Sequence, residues 1–249
     1  MQSTLEVPAI LVESLSFSYG PVPVLCDLNV SVPRGEIWAL IGQSGSGKST
    51  FLQILAGLFR PSAGRVKIAG REGATETSIR GVVFQGDSLL GWLSTLENVT
   101  FPEKSRGDDG LTILAKRLLG EVGLEGDCNL YPHELSAGMR KRVEFVRALV
   151  RDRDFLLADE PFGTLDAITR RQLWGIWRSL REDVPRSGFL CTHDPEEAIR
   201  LCDAVVPLTG SRPATFGQIV RIPESIKAMP VDKASQELTT LTNTLVSLI

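Results

Sequence analysis

Glu36-Ile37-Trp38-Ala39-Leu40-Ile41-Gly42-Gln43-Ser44-Gly45-Ser46-Gly47-Lys48-Ser49 is the stretch on which the fold turns. Its first half is a nearly continuous apolar run of strand length, the pattern of a strand buried on both faces. Its second half matches G-x-x-x-x-G-K-[ST], and residues 49–56, closed by Gly57, continue with helical spacing. Glycines let the backbone curl until successive N–H groups converge on phosphate oxygens, and the helix N-terminus adds partial positive charge. Lys48 brings a mobile cation to the terminal phosphates, and the Ser49 hydroxyl is placed to ligate Mg²⁺. The order strand, glycine-rich turn, helix reads as a nucleotide site, with Gly42, Gln43, Ser44, Gly45, Ser46, Gly47, Lys48, Ser49 and Thr50 as its expected contacts.

Upstream, Ile10, Val12, Phe17 and Tyr19 alternate with polar or small residues, as do Leu28, Val30 and Val32. Both runs read as half-buried strands joined by a turn at residues 20–23. Downstream, strands are expected at 65–69, 79–84, 154–158, 187–191 and 204–208. Helices are expected at 111–122, 139–150, 173–180 and 195–201, with a polar loop around 104–110. Strands alternating with helices specify an α/β sheet that is mainly parallel. Leu238, Leu241, Leu245 and Ile249 share one helical face, which predicts a terminal docking helix. The expected organisation is one cassette over residues 1–249. An ATPase core would occupy 8–85 and 150–210, with an inserted helical subdomain at 86–149 and a C-terminal extension at 211–249.

Composition narrows the function. The 249 residues are 43% hydrophobic, enough for a real core, and carry 27 basic against 30 acidic side chains, a net charge of −3. That balance argues against non-specific nucleic-acid binding. No apolar run reaches the roughly 18 residues of a membrane span, and the first residues lack a secretory signal pattern. The four cysteines, Cys26, Cys128, Cys191 and Cys202, show no C-x-x-C spacing. The expectation is a soluble, thiol-reduced chain.

Two further segments carry chemistry. Phe155-Leu156-Leu157-Ala158-Asp159-Glu160 is an apolar strand ending in two carboxylates. A carboxylate at the C-terminal edge of such a sheet suits Mg²⁺, the role expected of Asp159, while Glu160 could polarise an attacking water. Leu135-Ser136-Ala137-Gly138-Met139-Arg140-Lys141-Arg142 places a serine and a glycine before a helix. That arrangement fits an anion site and equally fits an ordinary serine N-cap.

The last segment resembles the signature motif of ABC-transporter ATPases, and other segments resemble the same family in the same order. Tyr19 resembles the aromatic that stacks on adenine. Gln85 resembles the glutamine joining the Mg²⁺ site to the helical subdomain, 163–166 resembles the loop that crosses between subunits, with Asp166 implied as a nucleotide-binding residue, and His193 resembles the switch histidine. The resemblance implies a P-loop NTPase with a RecA-like core, a mainly parallel sheet, an N-terminal antiparallel β subdomain and an inserted helical subdomain. It further implies ATP and Mg²⁺ as cofactors, Ser49, Gln85 and Asp159 as metal ligands, and Glu160, His193, Lys48 and Gln85 as catalytic. ATP on one protomer would be closed by Ser136 and Gly138 of a second copy. Residues 86–99 resemble importer ATPases of the nitrate, sulfonate, taurine and bicarbonate group, although Gly91 stands where proline is usual. The implied partners are a twin cassette, a membrane permease at the cytoplasmic face of the inner membrane, and indirectly an extracytoplasmic binding protein. A soluble ABC ATPase without a transport role is the alternative. The signature departs from the family pattern at Ala137, where glycine is usual.

Overall fold

The computed structural model describes residues 7–72, 81–83, 86, 88–101, 109–151, 154–163, 165–210, 212–227, 229–230 and 236–248. Two sheets organise the chain. The first is antiparallel, in the order β2-β1-β4-β5, built from β1 (Ile10–Tyr19), β2 (Val22–Val32), β4 (Ala63–Ile68) and β5 (Arg71–Glu72). The second has parallel pairs running β9-β3-β8-β7-β6, where β3 is Ile37–Ile41, β6 Val82–Val83, β7 Phe155–Asp159, β8 Ser187–Thr192 and β9 Ala204–Thr209. Strands β10 (Thr215–Phe216) and β11 (Val220–Arg221) add antiparallel to β9.

β3 lies in the middle of the parallel sheet and is buried along its whole length. Its side chains divide between two cores. Ile37, Ala39 and Ile41 join a helical layer, which includes α4 (Ala137–Arg151) and α5 (Ala167–Asp183). Trp38 and Leu40 face a second core filled by the antiparallel sheet and α1 (Lys48–Leu55). A near-continuous apolar run is thus what a strand with two covered faces requires.

Between the sheets' strands, α2 (Thr95–Thr100) packs on α3 (Asp109–Glu121) and on α4. α2 was not expected from the sequence. It is short, and a capping box formed by Ser94 and Glu97 starts it. α3 begins at Asp109, so the end of the expected polar loop is helical; residues 102–108 of that loop lie outside the described residues, as do Gln85, Thr164 and Ile249. β2 starts at Val22, inside the expected turn, because Tyr19 pairs with Val22 across the two-residue link. α5 starts six residues before Leu173, at a cap the sequence reading had assigned to a loop. The chain closes with α6 (Pro195–Leu201), α7 (Glu224–Lys227) and α8 (Gln236–Val246). α8 packs on α6 and buries Leu238 and Leu245.

Candidate nucleotide-binding site

Register assembles the site. Ile41 pairs with Thr192 and Asp159 with Cys191, so β3, β7 and β8 end level. Gly42, Asp159 with Glu160, and His193 therefore leave the sheet at one edge, where parallel sheets hold their ligands.

The loop after β3 is bent and tightly packed. Gly45 and Gly47 take φ of +78° and +110°, values that side chains rarely adopt. A methyl group at Gly42 would lie 2.7 Å from the Leu208 carbonyl oxygen, and one at Gly47 would lie 2.8 Å from Leu25 Cδ2. Lys48 is only 6% exposed. Its ammonium donates to the carbonyls of Gly42 at 2.8 Å and Gln43 at 3.0 Å, which holds the charge inside the loop. Gly47 caps α1 without a side-chain hydrogen bond, leaving first-turn N–H groups for a ligand. Ser46 Oγ is buried with no partner among the described residues, a state that costs roughly 1–3 kcal/mol. A phosphate oxygen would supply the acceptor that this hydroxyl lacks. The loop fits a phosphate chain.

Asp159 is 3% exposed at the end of β7. Burial raises its carboxyl above the ordinary range, the Ser49 hydroxyl bonded to it pulls the other way, the Glu160 charge raises it, and Lys48 lowers it. A hydroxyl and a carboxylate side by side are the oxygen donors that Mg²⁺ prefers. Glu160 follows at φ +48°, a conformation unusual for a residue with a side chain, and its N–H donates to the Cys191 carbonyl at 2.9 Å. Its Oε1 lies 3.3 Å from Nδ1 of His193, whose ring is exposed. Tyr19 sits at the mouth, 46% exposed, with its hydroxyl 3.3 Å from Thr50 Oγ1. Its ring meets Phe17 and Phe59 edge-on, which leaves it braced rather than loose.

Ser136, Gly138 and Asp166 are placed differently. Ser136 is exposed, and its Oγ accepts from the Met139 N–H at 3.2 Å as the N-cap of α4. Ala137 is already inside that helix and avoids positive φ, so the missing glycine leaves the backbone unstrained. Gly138 packs beside Leu165, 3.6 Å from where its methyl would be. Asp166 caps α5, accepting from the N–H groups of Ile168 and Thr169, each at 3.0 Å; the Thr169 hydroxyl holds its carboxyl below the usual range.

Sequence reasoning missed several buried polar residues around the site. Glu144 on α4 is fully buried; it accepts from the Ser88 N–H at 2.5 Å, from the Ser88 hydroxyl at 2.9 Å and from Lys141 at 2.8 Å. Arg147 donates to the Ser88 carbonyl at 2.9 Å, and Lys141 also reaches the Gly86 carbonyl at 2.7 Å. The serine-capped helix is thereby pinned to the segment that follows Gln85. A charged residue within the apolar stretch from Val143 to Val150 was the available signal.

A phosphate loop behind a central parallel strand, with a strand-end carboxylate pair beside it, defines a P-loop NTPase. The family model described as ABC transporter matches residues 25–163. A taurine import ATP-binding protein of Pseudomonas aeruginosa is 40% identical over 213 residues, spanning 85% of this chain and 77% of that protein. An aliphatic sulfonates import ATP-binding protein of Mesorhizobium japonicum is 43% identical over 206 residues, spanning 82% and 78%. Among solved structures, the dimeric structure of MJ0796, a bacterial ABC transporter cassette, superposes with a TM-score of 0.76 at 26% identity, covering 86% of this chain and 99% of that one. The chain belongs to the ABC transporter family and is an ATPase of that family.

Proposed function

We propose that this ATPase powers an importer, working as a homodimer of cassettes beneath a membrane permease and driving uptake of a small anion such as taurine, another sulfonate or nitrate. The observation that carries the reading is the buried Lys48 and Asp159 pair, with the half-buried Ser49 hydroxyl bonded to Asp159, at the level ends of β3 and β7. ATP would lie on the loop of residues 42–50 with adenine against Tyr19. Ser49 and Asp159, with Gln85, would hold Mg²⁺, which supplies counter-charge to the phosphate oxygens. Glu160 would accept a proton from the attacking water, and His193 would contact the γ-phosphate. Ser136 and Gly138 of a second copy would close the nucleotide from the opposite side, and Asp166 would cross between the copies. The dimeric relative supports that assembly.

The proposed division of the chain is a core at 8–85 and 150–210, a helical subdomain at 86–149 and an extension at 211–249; the mutual packing of α2, α3 and α4 supports the middle boundary. No helix among the described residues is long and apolar enough to cross a membrane. A peripheral position at the cytoplasmic face, under a permease fed by an extracytoplasmic binding protein, follows from the importer reading. Trp92 is 73% exposed, with Leu89, Leu90 and Leu93 half-buried near it, and we assign this patch to a helix of the permease. Co-purification of the chain with the permease encoded beside it, and loss of that association in Trp92→Ala with the fold intact, test the assignment. Capture of wild type and Trp92→Ala alike would contradict it.

A further inference from the structure

Behind the exposed His193 ring lies a partly buried polar cluster that no step of the proposed hydrolysis uses. The Thr192 hydroxyl accepts from the Asp194 N–H at 3.0 Å and donates to Glu197, so the two residues flanking His193 are tied to each other and to α6. Asp194 Oδ1 accepts from the N–H groups of Glu196 at 2.9 Å and Glu197 at 3.3 Å, starting α6. On the other side, Arg170 lies 3.7 Å from Asp194 Oδ2 and donates to the Leu165 carbonyl at 3.1 Å. Leu165 precedes Asp166 and packs beside Gly138. Glu197 is 3% exposed. Its Oε1 and the Arg170 Nε are both buried without partners among the described residues, although the two groups attract each other. An orphaned oxygen and an orphaned N–H, held near one another, form an arrangement with two available pairings.

We propose that Glu197 and Arg170 are positioning residues for His193. Glu197 acts through the Thr192 hydroxyl, and Arg170 acts through Asp194 and the Leu165 carbonyl. Together they fix the turn that aims the imidazole at Glu160 and couple it to Leu165. The proposal rests on the nucleotide-site reading for its effect on turnover, but its structural part stands on these contacts alone. Burial raises the Glu197 carboxyl to about 8, with Asp194 adding to the rise, Thr192 and Arg170 opposing it, and Glu160 adding again. Cys202, at the far end of α6, also senses the Glu197 charge. Glu197 is thus neutral while the turn is set. Its ionisation draws Arg170 away from Leu165 and repels Asp194 and Glu160.

Two measurements on the full chain test this. First, the imidazole resonances of the two histidines, His133 and His193, are followed by NMR from pH 5 to 9.5. The His193 resonance is expected to report the Glu197 ionisation as an inflection near pH 8 that Glu197→Gln removes. A His193 titration identical in wild type and Glu197→Gln overturns the proposal. Second, kcat of wild type is expected to fall about tenfold between pH 7 and 9, following a carboxyl that titrates near 8. Glu197→Gln should stay within about twofold of wild type at pH 7 and lose that fall, with KM for ATP unchanged in both. Superimposed pH profiles overturn it. Thr192→Val, which keeps the shape and deletes the linking hydroxyl, is expected to lower kcat several-fold at unchanged KM; full kcat in this variant also counts against the proposal. Wild type that shows the NMR inflection but no ATP turnover would instead sink the nucleotide-site reading and leave the positioning contacts standing.

Discussion

The two anion-ready helix starts of this molecule are built in opposite ways. At α1 the capping residue is a glycine with no side-chain bond, the adjacent Ser46 hydroxyl is orphaned, and Lys48 is buried against its own loop. At α4 the capping serine is exposed and already bonded to its own helix. The first end has donors unspent and asks for a ligand; the second is satisfied as it stands and gains a new role only if something is brought to it. On the proposed reading, a single chain therefore holds one complete half of a nucleotide site and one half that is inert in isolation. This difference is the physical reason for expecting two copies to work together.

Variants at the two ends should break this comparison in unequal ways. Lys48→Ala removes the buried cation from the unspent end, and turnover should fall at least about 100-fold with nucleotide affinity lost as well, measured by steady-state ATPase and equilibrium binding. Glu160→Gln should keep ATP binding and slow hydrolysis by a similar factor. It should accumulate a dimer with ATP and none with ADP in gel filtration; only monomer at high protein concentration would contradict the two-copy account. At the satisfied end, Ser136→Ala should leave nucleotide binding by the monomer unchanged. Losing the cap should cost about 1 kcal/mol of stability, and turnover should drop because the partner's site is left open.

Much of the first end was legible because its information is local. The glycine spacing, the apolar strand before it and the helix after it fall within about twenty residues, and each element has its own signal. The carboxylates after β7 were legible for the same reason. α5 was read short because its apolar period starts only at Leu173, while Asp166, its true cap, looked like part of a loop. α2 escaped because six residues are too few to show a period, although Ser94 and Glu97 stood at capping-box spacing. β5, β10 and β11 are two residues each and exist only through pairing with β4 and β9. Glu197 could not be singled out, since a glutamate on a helix looks solvated until its surroundings bury it, whereas Glu144 was marked only by being a charge inside an apolar stretch.

Two smaller effects sharpen the contrast. Glu144→Ala should destabilise the chain by about 3 kcal/mol, because Lys141 and Ser88 lose a buried charged partner. It should also disturb the α4 end far more than the α1 end, which hydrogen exchange can resolve. Below the α1 pole, Glu197 makes stability depend on pH. Its folded carboxyl holds its proton up to about 8 whereas the unfolded one loses it near 4.5. The folded state therefore binds more protons across that window, and stability falls as pH rises through it. Relative to Glu197→Gln, wild type should lose ground in thermal melts from pH 4.5 to 8, then change little.

Mixing two defective proteins tests the two-copy site most directly. Lys48→Ala fails at one end and Ser136→Ala at the other, so a mixed dimer has one site carrying both defects and one site carrying neither. Random pairing of equal amounts, with independent sites, should restore about a quarter of wild-type turnover. If the mixture turns over ATP no faster than the average of the two variants alone, or if Ser136→Ala alone hydrolyses at the full rate, the two helix ends do not meet across a shared nucleotide.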